Sequence, residues 1–380
     1  MRVAIVGALP ESLLNFRGDF LMRLVAEGHE VIAMAHEATP DVTTSLEDMG
    51  VSFIPFPIQR NSINPLADLK TFLALRKAFR TLRPDVVMAY TIKPVIWGGL
   101  ALRGIPCVRF YALITGLGFA FHVEDGMRGF LVRLVVALYR SALVRASAVI
   151  FQNSDNKNEF VKRKIVSNAN CFIVNGSGVD LARFAHSPLS NKQCVFLTIG
   201  RLLGEKGFYE YTAAARLVKK RFPGVLFRLV GPVDPSPDGI PLAEVQSWHE
   251  QGWIEFCGAT NDVRLFINEC SVFVLPSYHE GMPRTVLEAM SVGRPILTTD
   301  VPGCRETVIS GENGFLVPKA DAGALAERMI WFIENQDKLQ KMGNKSRELA
   351  EESFDVRMVN DKLMSILGLK SYKMHVETAD

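Results

Sequence analysis

Glu280 and Glu288 stand eight positions apart in the stretch "YHEGMPRTVLEAM" (278–290), and Pro283 between them opens an apolar, helix-like run. Proline suits the first turn of a helix, because its missing N–H would have no partner there. Backbone N–H groups at 281, 282, 284 and 285 (Gly281, Met282, Arg284, Thr285) would then point away from the helix start, and such a terminus binds phosphate. Arg201 and Lys206, in "GRLLGEKG" (200–207), follow the apolar run "VFLTIG" and bring two positive charges to the same place. This combination makes a diphosphate site without a metal. Glu288 lies one turn into the helix, badly placed for phosphate but well placed to accept hydrogen bonds from sugar hydroxyls. Glu280, on the loop, can do the same for a second sugar. One carboxylate on a ribose, one on a transferable sugar and cations between them describe a nucleotide sugar. Each piece alone is ordinary, since a glutamate pair or an Arg-x4-Lys is usually solvated surface. The order strand, Arg-x4-Lys, strand, Pro-x3-Glu-Gly-x-Pro, helix, Glu is what carries the argument.

Positioning these groups takes strands whose carboxyl ends face one crevice. Short β-branched runs recur at 3–7, 30–35, 51–56, 85–90, 107–112, 148–153 and 171–176. The pattern restarts at 195–200, 225–231, 253–258, 271–276, 295–300 and 314–318. Amphipathic stretches such as "FRGDFLMRLVAEGH" and "PLADLKTFLALRKAFRTLRP" separate them, which implies parallel strands with crossover helices. The expected architecture is α/β: two doubly wound parallel-sheet (Rossmann-like) domains, 1–183 and 184–353, with "FAHSPLSNK" (184–192) as the linker. An amphipathic segment from 354, within 354–380, follows after the second domain is complete. A dinucleotide site fails on inspection. The first strand is followed by Gly7-Ala-Leu-Pro-Glu-Ser, and the second domain's first strand by "GRLLGEKG"; neither has the spaced glycines that let backbone approach a pyrophosphate.

The bulk properties exclude several classes. With 380 residues, 48% hydrophobic and 22% charged, the chain is globular and long enough for two cores. A net charge of +3 does not suggest a nucleic-acid binder. Six scattered cysteines without a Cys-x-x-Cys read as small buried residues in a reducing compartment. The N-terminal apolar run turns polar by residue 11 and reads as a strand, not a signal peptide. No charge-free run reaches the roughly 18 apolar residues of a membrane span.

The pieces "NGSGVD" (175–180), "GRLLGEKG", "VLPSYHEGMPRTVLEAM" (274–290), "GRPILTTDVPGCRETV" (293–308) and "NGFLVP" (313–318) resemble glycosyltransferase family 4, a retaining family with the two-domain GT-B fold. The resemblance covers nearly the whole chain. It implies that Arg201 and Lys206 hold the donor diphosphate, that Glu280 lies near the transferred sugar and Glu288 at the ribose. It also implies that the last helix crosses back to the first domain. "LLNFRGDF", "INPLADL", "TIKPVIWGGLA" and "LITGLGFAF" are similar to bacterial enzymes that extend undecaprenyl-diphosphate-linked sugars in surface-polysaccharide or glycan assembly. Many members carry a His near the transferred sugar. The corresponding loop here reads Thr115-Gly116-Leu117-Gly118, with His122 a little further on, more ordinary as a structural residue.

The reading that follows is a retaining transferase that moves an N-acetylhexosamine from a UDP-sugar to a polyprenyl-diphosphate-linked saccharide, with no cofactor. No Asp-x-Asp occurs in the chain, so the metal clamp of the other large glycosyltransferase fold is not expected. Lys93, in "TIKPV", is a candidate contact for the acceptor diphosphate, or a cap for the helix that follows; Asn15, Arg17, Thr115 and Gly116 join it on the acceptor side. Two rivals remain at this level. A UDP-N-acetylglucosamine 2-epimerase shares the fold, and a non-catalytic sugar-nucleotide binder would keep the cleft. The acceptor's lipid implies docking at the inner face of the cell membrane. Between 128 and 164 eight basic residues stand against Asp155 and Glu159, and the segment 127–145 among them is strongly apolar, which suggests a peripheral contact.

Overall fold

The computed structural model describes residues 1–59, 64–117, 126–189 and 193–369, with the backbone alone at 126–128. It divides into two units, Met1–Ser177 with the segment from Val359, and Gly178–Met358. In the first unit, β1 (Arg2–Val6), α1 (Pro10–Ala26), β2 (Glu30–Ala35), α2 (Pro40–Asp48) and β3 (Val51–Pro55) come first. Then come α3 (Pro65–Leu82), β4 (Val86–Tyr90), α4 (Ile92–Ala101) and β5 (Arg109–Ile114). α5 (Gly126–Leu143), β6 (Ala146–Phe151), α6 (Ser154–Lys162) and β7 (Cys171–Ile173) complete the alternation. The seven strands are parallel, in the order β3-β2-β1-β4-β5-β6-β7.

The second unit repeats the plan with β8 (Val195–Ile199), α7 (Phe208–Lys219), β9 (Leu226–Val230), α8 (Leu242–Glu250) and β10 (Glu255–Phe256). α9 (Arg264–Glu269), β11 (Val272–Leu275), α10 (Arg284–Val292), β12 (Ile296–Thr299) and β13 (Gly314–Val317) follow, then α11 (Ala322–Glu334) and α12 (Gln336–Leu349). Its six parallel strands run β10-β9-β8-β11-β12-β13. Both sheets are covered on two faces, which is why their strands read as unbroken apolar runs and not as alternation. Val3 to Val6 of β1, for instance, are all fully buried.

Every run expected to be a strand contains one, β2 at the expected bounds and the others with shifted ends. The run at 107–112 starts pairing only at Arg109, because Cys107 holds a left-handed backbone (φ 62°) that no parallel ladder accommodates. The division between the units falls at 177/178, earlier than the expected 183/184. The described part of the expected linker, 184–189, belongs to the second unit. Phe184 is buried, and its carbonyl accepts the Ser291 hydroxyl at 2.7 Å. The Ser187 carbonyl accepts Arg294 Nη1 at 3.0 Å. Polar composition misleads here, because a buried arginine supplies the partners that water would otherwise supply to a loop's backbone. The chain leaves the second unit along α13 (Val356–Leu367), expected from 354, and joins the first unit from Val359. Val359, Leu363, Met364 and Leu367 pack in one core with Leu21, Leu24 and Tyr111. The Leu367 carbonyl accepts Arg109 Nη1 at 3.0 Å and the Tyr111 hydroxyl at 3.2 Å.

Each sheet has one place where successive strands turn from one direction to the other: between β1 and β4, and between β8 and β11. Loops leaving the carboxyl ends there diverge and open a crevice, the usual ligand position in such sheets.

Candidate active site

At the second unit's switch point the loop after β8 (200–207) meets the loop after β11 (276–283), and backbone contacts fasten the two. Tyr278 N–H donates to the Glu205 carbonyl at 2.8 Å, and the Ser277 hydroxyl donates to the same oxygen at 3.2 Å. Gly207 makes this approach possible: its φ is 73°, and a Cβ there would lie 2.0 Å from the Pro276 carbonyl oxygen. The zippered loops place Lys206 Nζ 2.5 Å from Glu280 Oε1. Glu280 is held from its other side. Its N–H donates to the Pro302 carbonyl at 3.2 Å, and Gly303 (φ 84°) packs so closely that a Cβ would sit 2.6 Å from the Glu280 carbonyl oxygen. Thus "VPGC" (301–304) positions Glu280 from a third loop.

α10 then begins. Pro283 is its N-cap, immediately before the first helical residue, and its carbonyl accepts the N–H groups of Val286 and Leu287 at 3.1 and 3.2 Å. Thr285 Oγ1 reaches the Ile199 carbonyl at 3.5 Å, so the helix start abuts the end of β8. Every residue from Val286 to Val292 is buried. That leaves Glu288 with 5% exposure and requires a partner for its charge. The partner is Arg284, one turn earlier, whose Nε lies 2.8 Å from Glu288 Oε1. Burial raises the Glu288 carboxyl above its ordinary pKa, against the pull of Arg284 and Arg183.

Arg201 is ion-paired with Asp234. Burial pushes the Asp234 carboxyl up, but hydrogen bonds from Ser236 and the Arg201 guanidinium outweigh it and hold the group below the usual range. The loop "PVDPSPDGI" (232–240) wraps the Arg-x4-Lys loop throughout. Leu202 N–H donates to the Pro232 carbonyl at 2.9 Å, and Gly204 and Glu205 N–H donate to the carbonyl and carboxylate of Asp238, each at 2.9 Å. Tyr278 donates to Glu210 Oε1 at 2.7 Å; burial first, and that carboxylate second, push its phenol to about 12, so it remains a donor. Asp234, Asp238, Arg284 and the Tyr278–Glu210 contact escape a reading of sequence alone. Asp234 and Asp238 leave one trace there: they follow the carboxyl end of β9, on the ligand side of the sheet.

The first unit's switch point is chemically different. Ser12 Oγ lies 2.7 Å from the Tyr90 hydroxyl, and the Arg17 guanidinium sits 5.4 Å from the centre of the Tyr90 ring. Arg17, expected on the acceptor side, is 2% exposed: it is on the inner face of α1 with Leu13, Phe20, Leu21 and Leu24. Asn15, two residues earlier, is exposed. Thr91 takes φ 67° as β4 turns into α4, a backbone that costs a β-branched residue on the order of 1–3 kcal/mol. Lys93 is not a free cation; its Nζ lies 2.7 Å from Asp68 Oδ1 on α3, both side chains largely buried. Thr115 and Gly116 follow β5 and are half-buried, whereas Gly118 and His122 lie outside the described residues.

The chain is similar to glycosyltransferases along both units. Residues 182–349 match the family described as "Glycosyl transferases group 1", and residues 19–176 match "Glycosyl transferase 4-like domain". The chain is 28% identical over 350 residues to an N,N'-diacetylbacillosaminyl-diphospho-undecaprenol alpha-1,3-N-acetylgalactosaminyltransferase of Campylobacter jejuni, covering 88% of this chain and 90% of the relative. It is 25% identical over 360 residues to a UDP-Gal:alpha-D-GlcNAc-diphosphoundecaprenol alpha-1,3-galactosyltransferase of Escherichia coli, covering 90% and 89%. The structure of Anabaena HepE in complex with UDP superposes with a TM-score of 0.77 at 20% identity, covering 97% of this chain and 100% of that one. These matches favour transfer over the epimerase and non-catalytic readings. With two glycosyltransferase domains matched in order along two parallel α/β units, the chain belongs to the glycosyltransferases of group 1 with a family 4-like first domain, and its fold is GT-B.

Proposed function

We propose that this glycosyltransferase moves an N-acetylhexosamine from a UDP-sugar, with retention, to a saccharide carried on undecaprenyl diphosphate during bacterial surface-polysaccharide or glycan assembly. The observation that carries it is the meeting of Arg201, Lys206, Glu280 and the start of α10 at one strand switch point. The Campylobacter jejuni and Escherichia coli relatives, whose names specify such acceptors, support the acceptor class. In this reading Arg201 and Lys206 exchange their carboxylate partners for the donor diphosphate. Gly281, Met282 and Pro283 bring the N-terminus of α10 against it, Glu280 faces the transferred sugar and Glu288 the ribose. The bond from the sugar's anomeric carbon to the diphosphate oxygen breaks, and charge growing on that oxygen is offset by the two cations and the helix terminus. The acceptor hydroxyl attacks the same face, and its proton passes to the departing diphosphate. No cofactor or metal is assigned a part. Asn15, Arg17, Lys93, Thr115 and Gly116 form the acceptor side, Arg17 and Lys93 acting through Tyr90 and Asp68.

No helix among the described residues is long and apolar enough to cross a membrane. The protein works at the inner face of the membrane by peripheral contact, to which α5 contributes Phe130 (64% exposed) and Leu134 (45%). Part of the local basic excess is engaged within the unit, since Arg140 Nε donates to the Lys164 carbonyl at 3.1 Å and Arg163 pairs with Glu159. The test is a panel of radiolabelled UDP- and GDP-sugars offered to a short lipid-diphosphate saccharide, with and without EDTA. One UDP-N-acetylhexosamine should be transferred, equally well in EDTA. Consumption of the donor without acceptor would indicate an isomerase, and loss in EDTA restored by manganese would overturn the metal-free chemistry.

A further inference from the structure

α3 is amphipathic in an unusual sense: its outward face is itself divided into an apolar and a basic part. Thr71, Leu75 and Phe79 bury the inner face. Outward, at helical spacing, come Leu66 (71% exposed), Leu69 (50%) and Leu73 (54%). Lys70, Lys77 and Arg80 share that face and are exposed. Among the described residues no carboxylate pairs with any of the three, and the helix's one acid, Asp68, is taken by Lys93. Beside the leucines runs an open groove of about 610 Å³ between α3 and α4, walled by Leu69, Phe72, Trp97 and Leu100. Arg76 and Arg103 stand on its rim and, among the described residues, donate to neutral oxygens: Arg76 Nη1 to the carbonyls of Ala101 and Arg103 at 3.2 and 2.8 Å, Arg103 Nη2 to the Ser141 hydroxyl at 2.8 Å and to its carbonyl. Five cations without a carboxylate partner among the described residues thus border an apolar surface in a chain of net charge +3.

Water is a poor neighbour for three exposed leucines on one face, and a protein partner of ordinary charge would meet the cations without compensation. An anionic bilayer satisfies both halves. Its headgroup layer attracts each Lys or Arg near it, and the leucines and groove enter the boundary with the acyl chains. We infer that the outer face of α3, with the α3–α4 groove, is a docking surface for anionic phospholipid. The inference rests on the membrane-linked acceptor proposed above and locates that contact on α3, with Phe130 and Leu134 of α5 as an extension. α4 packs against both helices. α4 also begins at Thr91, at the first unit's switch point, so a bilayer held by α3 lies beside the helix that leads to the acceptor side.

The test is sedimentation of the full-length protein with vesicles of phosphatidylethanolamine and phosphatidylglycerol, scored alongside turnover of a short water-soluble acceptor. Combined Lys70→Gln, Lys77→Gln and Arg80→Gln should lower partition about a hundredfold, as removal of three near-surface charges implies. Combined Leu69→Gln and Leu73→Gln should lower it at least about tenfold. Both variants should turn over the soluble acceptor at the parental rate, which shows that they fold. Phe130→Gln should have a smaller effect. Undiminished binding by both α3 variants, or equal binding to phosphatidylcholine alone, overturns the inference. So does a dimer in light scattering that the leucine variant dissolves, because a second copy then covers the face. Vesicle binding through α3 without transfer to a lipid-linked acceptor overturns the acceptor reading and leaves the docking surface in place. Transfer to that acceptor with no dependence on α3 does the reverse.

Discussion

The two strand switch points use opposite solutions to the same geometric opportunity. At β8 and β11 the chain assembles two cation–carboxylate pairs, Arg201 with Asp234 and Lys206 with Glu280, and fastens the loops that carry them by backbone hydrogen bonds. At β1 and β4 it assembles a hydroxyl and a phenol, with a guanidinium 5.4 Å from the ring centre and Lys93, at the start of α4, paired with Asp68. The first is suited to a highly charged ligand, because a diphosphate can replace two carboxylates without leaving either cation unpaired. The second offers hydrogen bonds of fixed direction to a neutral partner such as a sugar hydroxyl. Burial drives the Tyr90 phenol to about 12, with Ser12 and Arg17 pulling the other way, so it stays protonated near neutrality. Under the proposed function, charge strength marks the donor half and geometry the acceptor half.

Breaking the donor pairs should have the largest effect. Lys206→Ala removes a charge-assisted contact worth about 1.5–3 kcal/mol, so turnover should fall roughly tenfold to a hundredfold or more. Arg201→Ala should fall by a similar factor, with an unchanged circular dichroism spectrum in both. Unaltered UDP affinity and rate in Lys206→Ala would remove the contrast between the halves. A smaller loss, about threefold to tenfold, is expected from Tyr90→Phe, as one neutral hydrogen bond implies. It should raise KM for the acceptor and leave UDP binding unchanged; a matching loss of UDP affinity would mean that the halves do not divide the substrates. The smallest effect concerns acid. Asp234 has a lower pKa folded than unfolded, so its contribution to stability is complete above the unfolded value of about 3.9 and is lost as pH falls through the folded one. Because Arg201 is substantially solvated, that contribution is modest. In Asp234→Asn the thermal midpoint should therefore decline slightly less between pH ~5 and ~3 than in the parent.

Much of this was legible in the residues themselves. All thirteen strands among the described residues lie where apolar runs were read as strands, because a parallel sheet covered on both faces demands them. The Pro283 helix start and an amphipathic helix after 354 were equally readable, since proline chemistry and helical periodicity are local; that this helix returns to the first unit was implied by the family resemblance. The candidate donor residues were found because each follows a strand's carboxyl end in a fixed order. What the sequence did not contain is pairing. Nothing near Arg201 in the chain names Asp234, and nothing near Lys206 names Glu280, seventy-four positions on. Those partners are set by which strands are neighbours, and strand order is a property of the whole sheet. The same holds for Lys93 and Asp68, for the burial of Arg17, and for the α3 leucines. The periodicity of a helix tells how many faces it has, but only the packed structure decides which of them a sheet covers and which is left to meet something else.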